Sequence, residues 1–115
     1  MFSSKKWIKN KKDFELVHRY GRFFSFGNIS LKIKKNLDQT RFGISIGIKF
    51  SPKAVRRNLI KRRLREILRQ IKNEVKPGFD IVVMVKKDEA ELVSSRVLRE
   101  NLIKCLKNSN LTVKK

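Results

Sequence analysis

Ser51-Pro52-Lys53-Ala54-Val55-Arg56-Arg57-Asn58-Leu59-Ile60-Lys61-Arg62-Arg63-Leu64-Arg65-Glu66-Ile67-Leu68-Arg69-Gln70-Ile71-Lys72-Asn73-Glu74 is the stretch on which the fold turns. At about 100° per residue, Ile60, Leu64, Ile67, Leu68 and Ile71 share one arc of a helix, a core-facing stripe of ordinary width. Asn58, Lys61, Arg62, Arg65, Arg69 and Lys72 share a second arc, centred about 130° away. Ser51 followed by Pro52 reads as a helix cap with proline at the first helical position, and Pro77-Gly78 bounds the far end. The stretch predicts a long helix with one apolar and one cationic face, ending near Glu74.

Upstream, Ile29, Leu31 and Ile33 alternate with Ser30, Lys32 and Lys34, a half-buried strand. Phe42, Ile44, Ile46 and Ile48 alternate with Gly43, Ser45 and Gly47 in a second strand, and turn chemistry at 36–40 suggests that the two pair antiparallel. Phe23-Phe24-Ser25-Phe26 reads as a third strand. Before these, Asp13 to Tyr20 reads as a short helix capped by Asp13, with Gly21 supplying a left-handed C-terminal turn. Residues 1–12 read as a loose basic arm. Downstream, Phe79 to Val85 is a nearly unbroken apolar run, as expected of a strand covered on both sides. A last helix from about Glu89 to Lys107 places Leu98, Leu102, Cys105 and Leu106 on one side, and 108–115 reads as a loose tail. The expected class is α+β: a single domain over 1–115, a sandwich in the order helix, strands, helix, strand, helix, with about four strands.

The chain has 115 residues, enough for one domain. It carries 30 Lys+Arg against 10 Asp+Glu, a formal net charge of +20. Such a charge repels itself in the compact state and calls for a polyanionic partner, nucleic acid or an anionic surface. A single cysteine, Cys105, excludes an internal disulfide framework, suits a reducing cytoplasm, and sits among Leu102, Ile103 and Leu106 as a core residue would. Met1-Phe2-Ser3-Ser4-Lys5-Lys6-Trp7 has no apolar run behind it, and no stretch approaches the ~20 apolar residues of a membrane span. A soluble cytoplasmic protein is expected.

Solvated helix faces ordinarily mix signs, because like charges four residues apart destabilise a helix. Lys61, Arg65 and Arg69 repeat at that spacing, and Glu66 is the sole acid between Ser51 and Ile71. Phosphates would relieve the repulsion, and arginine suits bidentate phosphate contact. A helix-turn-helix reading of DNA lacks its second short helix, since strands flank this one. Lys32, Lys34 and Ser45 beside Phe14 and Phe23–Phe26 suggest a track for single-stranded RNA, although core packing would explain most of those aromatics.

The run Lys53 to Glu66 resembles the arginine-rich signature helix of the bacterial ribonuclease P protein family. Arg41-Phe42-Gly43-Ile44-Ser45-Ile46, Asp80 to Lys87, and Asp13-Phe14 followed by Gly21 resemble further segments of that family in the same order. The chain departs from the pattern at Leu59, where relatives carry a second arginine, at Phe50-Ser51-Pro52-Lys53, which lacks a glycine, and at His18, often aromatic elsewhere. The resemblance implies a protein that binds a large catalytic RNA, with hydrolysis performed by that RNA and its Mg²⁺. It places Arg57, Asn58, Lys61, Arg62, Arg65 and Arg69 on the RNA-binding helix surface. Phe14, His18 and Lys32 would face the single-stranded 5′ leader of precursor tRNA. It also implies a left-handed crossover around the helix, against the general right-handed rule, in a fold shared with a ribosomal-protein domain.

Protein-based nuclease chemistry finds little support. Asp13, Asp38, Asp80 and Asp88 are scattered, most at turns or element ends where capping explains them, and His18 is the sole histidine. No metal site, small-molecule cofactor or membrane partner is expected. The competing reading is a ribosomal or other structural RNA-binding protein, which would have no need of a leader cleft.

Overall fold

The computed structural model describes residues 7–36 and 39–112. The chain runs α1 (Lys11–Tyr20), β1 (Arg22–Phe26), β2 (Ile29–Lys35), β3 (Arg41–Ile44), α2 (Ala54–Ile71) and a 3-10 turn at Lys72–Glu74, then β4 (Phe79–Val85) and α3 (Ser95–Asn108). It is one α+β domain. The four strands form a mixed sheet in the order β1-β2-β4-β3. β1 and β2 are an antiparallel hairpin, β4 is antiparallel to β2, and β3 is parallel to β4.

The expected pairing of β2 with β3 does not occur, because β4 lies between them. The reason is in the run Phe79-Asp80-Ile81-Val82-Val83-Met84-Val85. Ile81, Val83 and Val85 serve one face of the sheet and Val82 the other, so β4 needs cover on both sides and takes an inner position. Alternation in β2 and β3 reports their faces, not their neighbours.

One face of the sheet carries the main core. Ile60, Leu64, Ile67, Leu68 and Ile71 of α2 and Leu98, Leu102, Cys105 and Leu106 of α3 pack there against Ile29, Leu31, Ile33, Phe42, Ile81 and Val83. Burial pushes the Cys105 thiol up to about 11, leaving it an unreactive apolar side chain at neutral pH. The opposite face is covered by α1 and the segment before it, through Ile8, Val17 and Val82 with Phe14 and Met84.

Parts of the segments read as arm and tail pack on the domain. Residues 1–6 and 113–115 lie outside the described residues, but Trp7 bridges to Phe42, the Ile8 amide donates to the Phe42 carbonyl at 2.8 Å, and Ile8 is buried. Leu111 is buried and Thr112 bridges to Val75. Single apolar residues in basic runs anchor these segments, a signal too short for periodicity to register.

Several caps differ from expectation. Asn10, not Asp13, caps α1, its Oδ1 accepting from the Asp13 amide at 2.8 Å. Gly21 has φ −75°, so it makes no left-handed turn; a Cβ there would collide with the Val17 carbonyl oxygen, to which its own amide donates. Ser51 and Pro52 precede α2, whose cap position is Lys53 with no side-chain acceptor. β3 stops at Ile44, after which Ile46 is buried and Ile48 exposed. Residues 89–94 form turns, and Ser94 caps α3 through the Val97 amide.

Asp80 is the buried acid of the sheet. Arg41, its neighbour across the β3–β4 pair, donates Nε to Oδ1 at 2.9 Å and Nη2 to Oδ2 at 2.8 Å. Asn36 Nδ2 donates to the same Oδ1 at 2.7 Å. The third guanidinium nitrogen, Nη1, reaches Asp13 of α1 at 3.1 Å. The hydrogen bonds that Asp80 accepts, with its charge and the hydrogen bond and charge of Asp13, hold the Arg41 guanidinium above its ordinary value. Two of the acids that the sequence scatters thus meet at one arginine, and Asp80 is an ion-pair residue rather than a cap. Replacing Asp80 with Asn removes the charge and one strong acceptor, and should cost about 2 kcal/mol. Urea unfolding checks this, and a midpoint equal to that of the parent would show the pair to be neutral for stability.

Candidate nucleic-acid interface

The apolar stripe of α2 fixes where its cations point. With Ile60, Leu64, Ile67, Leu68 and Ile71 all buried, Asn58, Arg62, Arg65 and Arg69 are exposed, while Arg57 and Lys61 are half-buried along the border. Arg57 Nη1 donates to the Ser51 carbonyl at 2.8 Å, which folds the approach loop onto the helix start. Arg69 pairs with Glu66 at 3.3 Å in an exposed contact that solvent screens. Lys61, Arg62 and Arg65 make no ion pair among the described residues. Leu59 is half-buried at the motif position where a cation was expected.

Two other arginines of the helix are occupied. Arg63 donates to the Val93 carbonyl, and Arg56 pairs with Asp88 at 2.6 Å from the loop after β4. The helix start has no side-chain cap and no acid in its first turn, so this contact from a distant loop is what ties it down.

Lys61 and Arg65, one turn apart, form one wall of a groove of about 260 Å³ whose other lining residues are Trp7, Ile8, Phe14, Gly43 and Ile44. The groove runs between α2, the β3 edge and the N-terminal side of α1. Gly43 shapes it: a Cβ there would come within 2.7 Å of the Phe14 ring, so the glycine lets that ring approach the sheet closely. Phe14 and Ile8 cover the face of β3 that Gly43 leaves without a side chain of its own. An aromatic ring and two cations now share a cleft although they lie nearly fifty residues apart in sequence. Alternation flagged Gly43 as outward-facing; nothing local in the sequence flagged Trp7 or Ile8.

Lys32 and His18 meet only through the backbone. Lys32 Nζ donates to the His18 carbonyl at 3.2 Å, at the C-terminal end of α1. The His18 side chain is exposed and borders a shallow depression with Lys12, Glu15, Leu16 and Arg19 on the outer side of the helix. Phe14 and His18 therefore do not line the same groove.

Among the described residues, no three His, Cys, Asp or Glu side chains gather to hold a metal ion. Asp13 and Asp80 are bridged by the Arg41 guanidinium, which lies between their carboxylates. No helix among the described residues is long and apolar enough to cross a membrane.

The family model for ribonuclease P matches residues 2–110. The chain belongs to the ribonuclease P protein family. It is 37% identical over 110 residues to the ribonuclease P protein component of Thermotoga maritima, covering 92% of this chain and 93% of that one. With the component from a Synechocystis strain it shares 33% over 95 residues, covering 81% and 77%. Among solved structures, the Staphylococcus aureus RNase P protein superposes with a TM-score of 0.79 at 27% identity, covering 92% of this chain and 96% of that one. The Thermotoga maritima protein gives 0.75 at 34%, covering 89% and 96%. The family match takes in Trp7 and Ile8, which line the groove.

The Arg56–Asp88 contact makes the start of α2 sensitive to acid. The hydrogen bond from Arg56 holds the Asp88 carboxyl below its ordinary value of 3.8. A carboxylate depressed in the folded state contributes above its unfolded value and loses that contribution as pH falls through the folded one. The clamp is therefore intact at neutral pH and is lost only as pH falls below the ordinary carboxylate value, through the depressed value of Asp88. Asp88→Asn should release it at neutral pH: amide exchange over Ala54–Asn58 quickens while the global unfolding midpoint hardly moves. Unaltered exchange there would show that the contact restrains nothing.

Proposed function

We propose that this chain is the protein subunit of ribonuclease P, which removes the 5′ leader of precursor tRNA in the cytoplasm. In this reading the exposed face of α2, with Arg57, Asn58, Lys61, Arg62, Arg65 and Arg69, lies against the phosphates of the catalytic RNA. The groove of Phe14, Lys61 and Arg65 receives the single-stranded leader, and Lys32, at the C-terminal end of α1, offers the leader a further cation outside that groove. The observation that carries the proposal is that groove: a purely structural RNA binder needs a basic surface, but not an aromatic floor between two helices with cations on one wall.

The chain's own contribution is binding and charge screening. Cations without acid partners neutralise phosphate repulsion between two RNAs, and the Phe14 ring offers a surface for a base that is not paired. Mg²⁺ would be held by the RNA rather than by this chain, and would supply there the activation of water and the stabilisation of the leaving oxygen. His18, exposed and remote from the groove, is placed to meet RNA passing the outer side of α1.

Reconstitution with a bacterial ribonuclease P RNA tests the reading. The protein should raise cleavage of precursor tRNA at low Mg²⁺, and no change in rate or Mg²⁺ requirement would remove the proposal. Arg65→Ala should weaken binding to the RNA and lower the salt dependence by about one phosphate contact; an unaltered slope means that the face is idle. Phe14→Ala should impair leader-bearing precursor more than mature tRNA, whereas equal losses on both would indicate a folding defect.

A further inference from the structure

Sorting the aromatics of β1 by face leaves one without a structural task. Phe24 and Phe26 point to the main core and pack against it. Phe23 points to the other face, paired in register with Lys32, and is 57% exposed. An isolated exposed phenylalanine is ordinary; this one is furnished. Lys32 Nζ lies 5.9 Å from its ring centroid. That ammonium spends one of its three donors on the His18 carbonyl and keeps the others for a ligand. Two residues along the strand, Ser25 accepts a hydrogen bond from Lys86 at the end of β4, which holds a second ammonium beside β1.

The surroundings select the occupant. β1 and β2 contain no acid and carry Arg22, Lys32, Lys34 and Lys35. An apolar protein segment would gain little from such a rim, and an acidic one would find a ring too small to anchor it. A nucleotide uses both parts: its base has a π face for the ring and its phosphate an anion for the ammonium groups.

We infer that Phe23, with Lys32 and Lys86 beside it, is a second stacking site for one unpaired base of single-stranded RNA, distinct from the Phe14 groove. It rests on the proposed leader-binding function and extends it: α1 separates two aromatic stations, so a leader long enough to pass the helix end engages both. Phe23 contributes stacking and Lys32 contributes a phosphate contact. Leaders too short to reach β1 do not sense either residue.

The test uses holoenzyme reconstituted with a bacterial ribonuclease P RNA and precursor tRNAs whose leaders lengthen one nucleotide at a time. Phe23→Ala should lower affinity about fivefold or more for the longer leaders, leave the shortest leader and mature tRNA unaffected, and be rescued by Phe23→Tyr. An abasic nucleotide should identify the stacked position, lowering affinity in the parent but not further in Phe23→Ala. Equal affinities of parent and Phe23→Ala at every leader length would overturn the inference, as would a loss of the same size on mature tRNA. If Phe14→Ala keeps its leader-specific loss while Phe23→Ala shows none, the second station alone fails. If neither variant distinguishes leader from mature tRNA, the leader-binding function fails with it.

Discussion

Arg41 is the joint of this molecule. Its guanidinium binds Asp80 with two nitrogens and Asp13 with the third, so one side chain ties β3 to β4 and both to α1. Asp80 is nearly sealed from water, which makes its charge costly unless paired, whereas Arg41 keeps partial contact with solvent. The arrangement is directional: Arg41 cannot leave without stranding a buried carboxylate. Everything that shapes the groove follows from it, because α1 carries Phe14 and β3 carries Gly43, and their contact requires the helix to sit at this place on the sheet.

Long-period patterns were legible. The stripe of α2 is buried at all five positions read from its spacing, and the four residues read for α3 are buried too. The limits of β4 match its apolar run. Such elements announce themselves because burial of one face repeats many times along the chain. Neighbour relations were not legible: β2 and β3 each alternate correctly and yet do not touch, since a sheet face says nothing about which strand lies alongside. Caps failed for a related reason. Asn10, Asp13 and Ser51 can all accept from a backbone amide; Asp13 is engaged by Arg41, distant in sequence, and Ser51 accepts from the Lys53 amide ahead of the helix.

The candidate site divides along the same line. Cations on α2 could be read from spacing, and their freedom from acid partners follows from composition. Their convergence with Phe14 could not, because it depends on a glycine across the sheet and on Trp7 and Ile8, two residues in a basic segment with no periodicity. Family resemblance supplied Phe14 where periodicity offered only a choice between core and surface. His18, supplied in the same way, is exposed and does not line the groove, and only its carbonyl meets Lys32.

The inner position of β4 has a consequence for how the protein comes into being. β1–β2 and β3–α2 are local units, but no strand pairing joins β2 to β3 until residues 79–85 enter between them. During synthesis the chain must therefore hold two half-sheets and a strongly basic helix apart until most of its length has emerged. Pairings this remote in sequence slow folding. The cleft is in this sense a late assembly: its walls come from both halves, so a nascent fragment presents positive charge to any passing RNA without the shape that selects one.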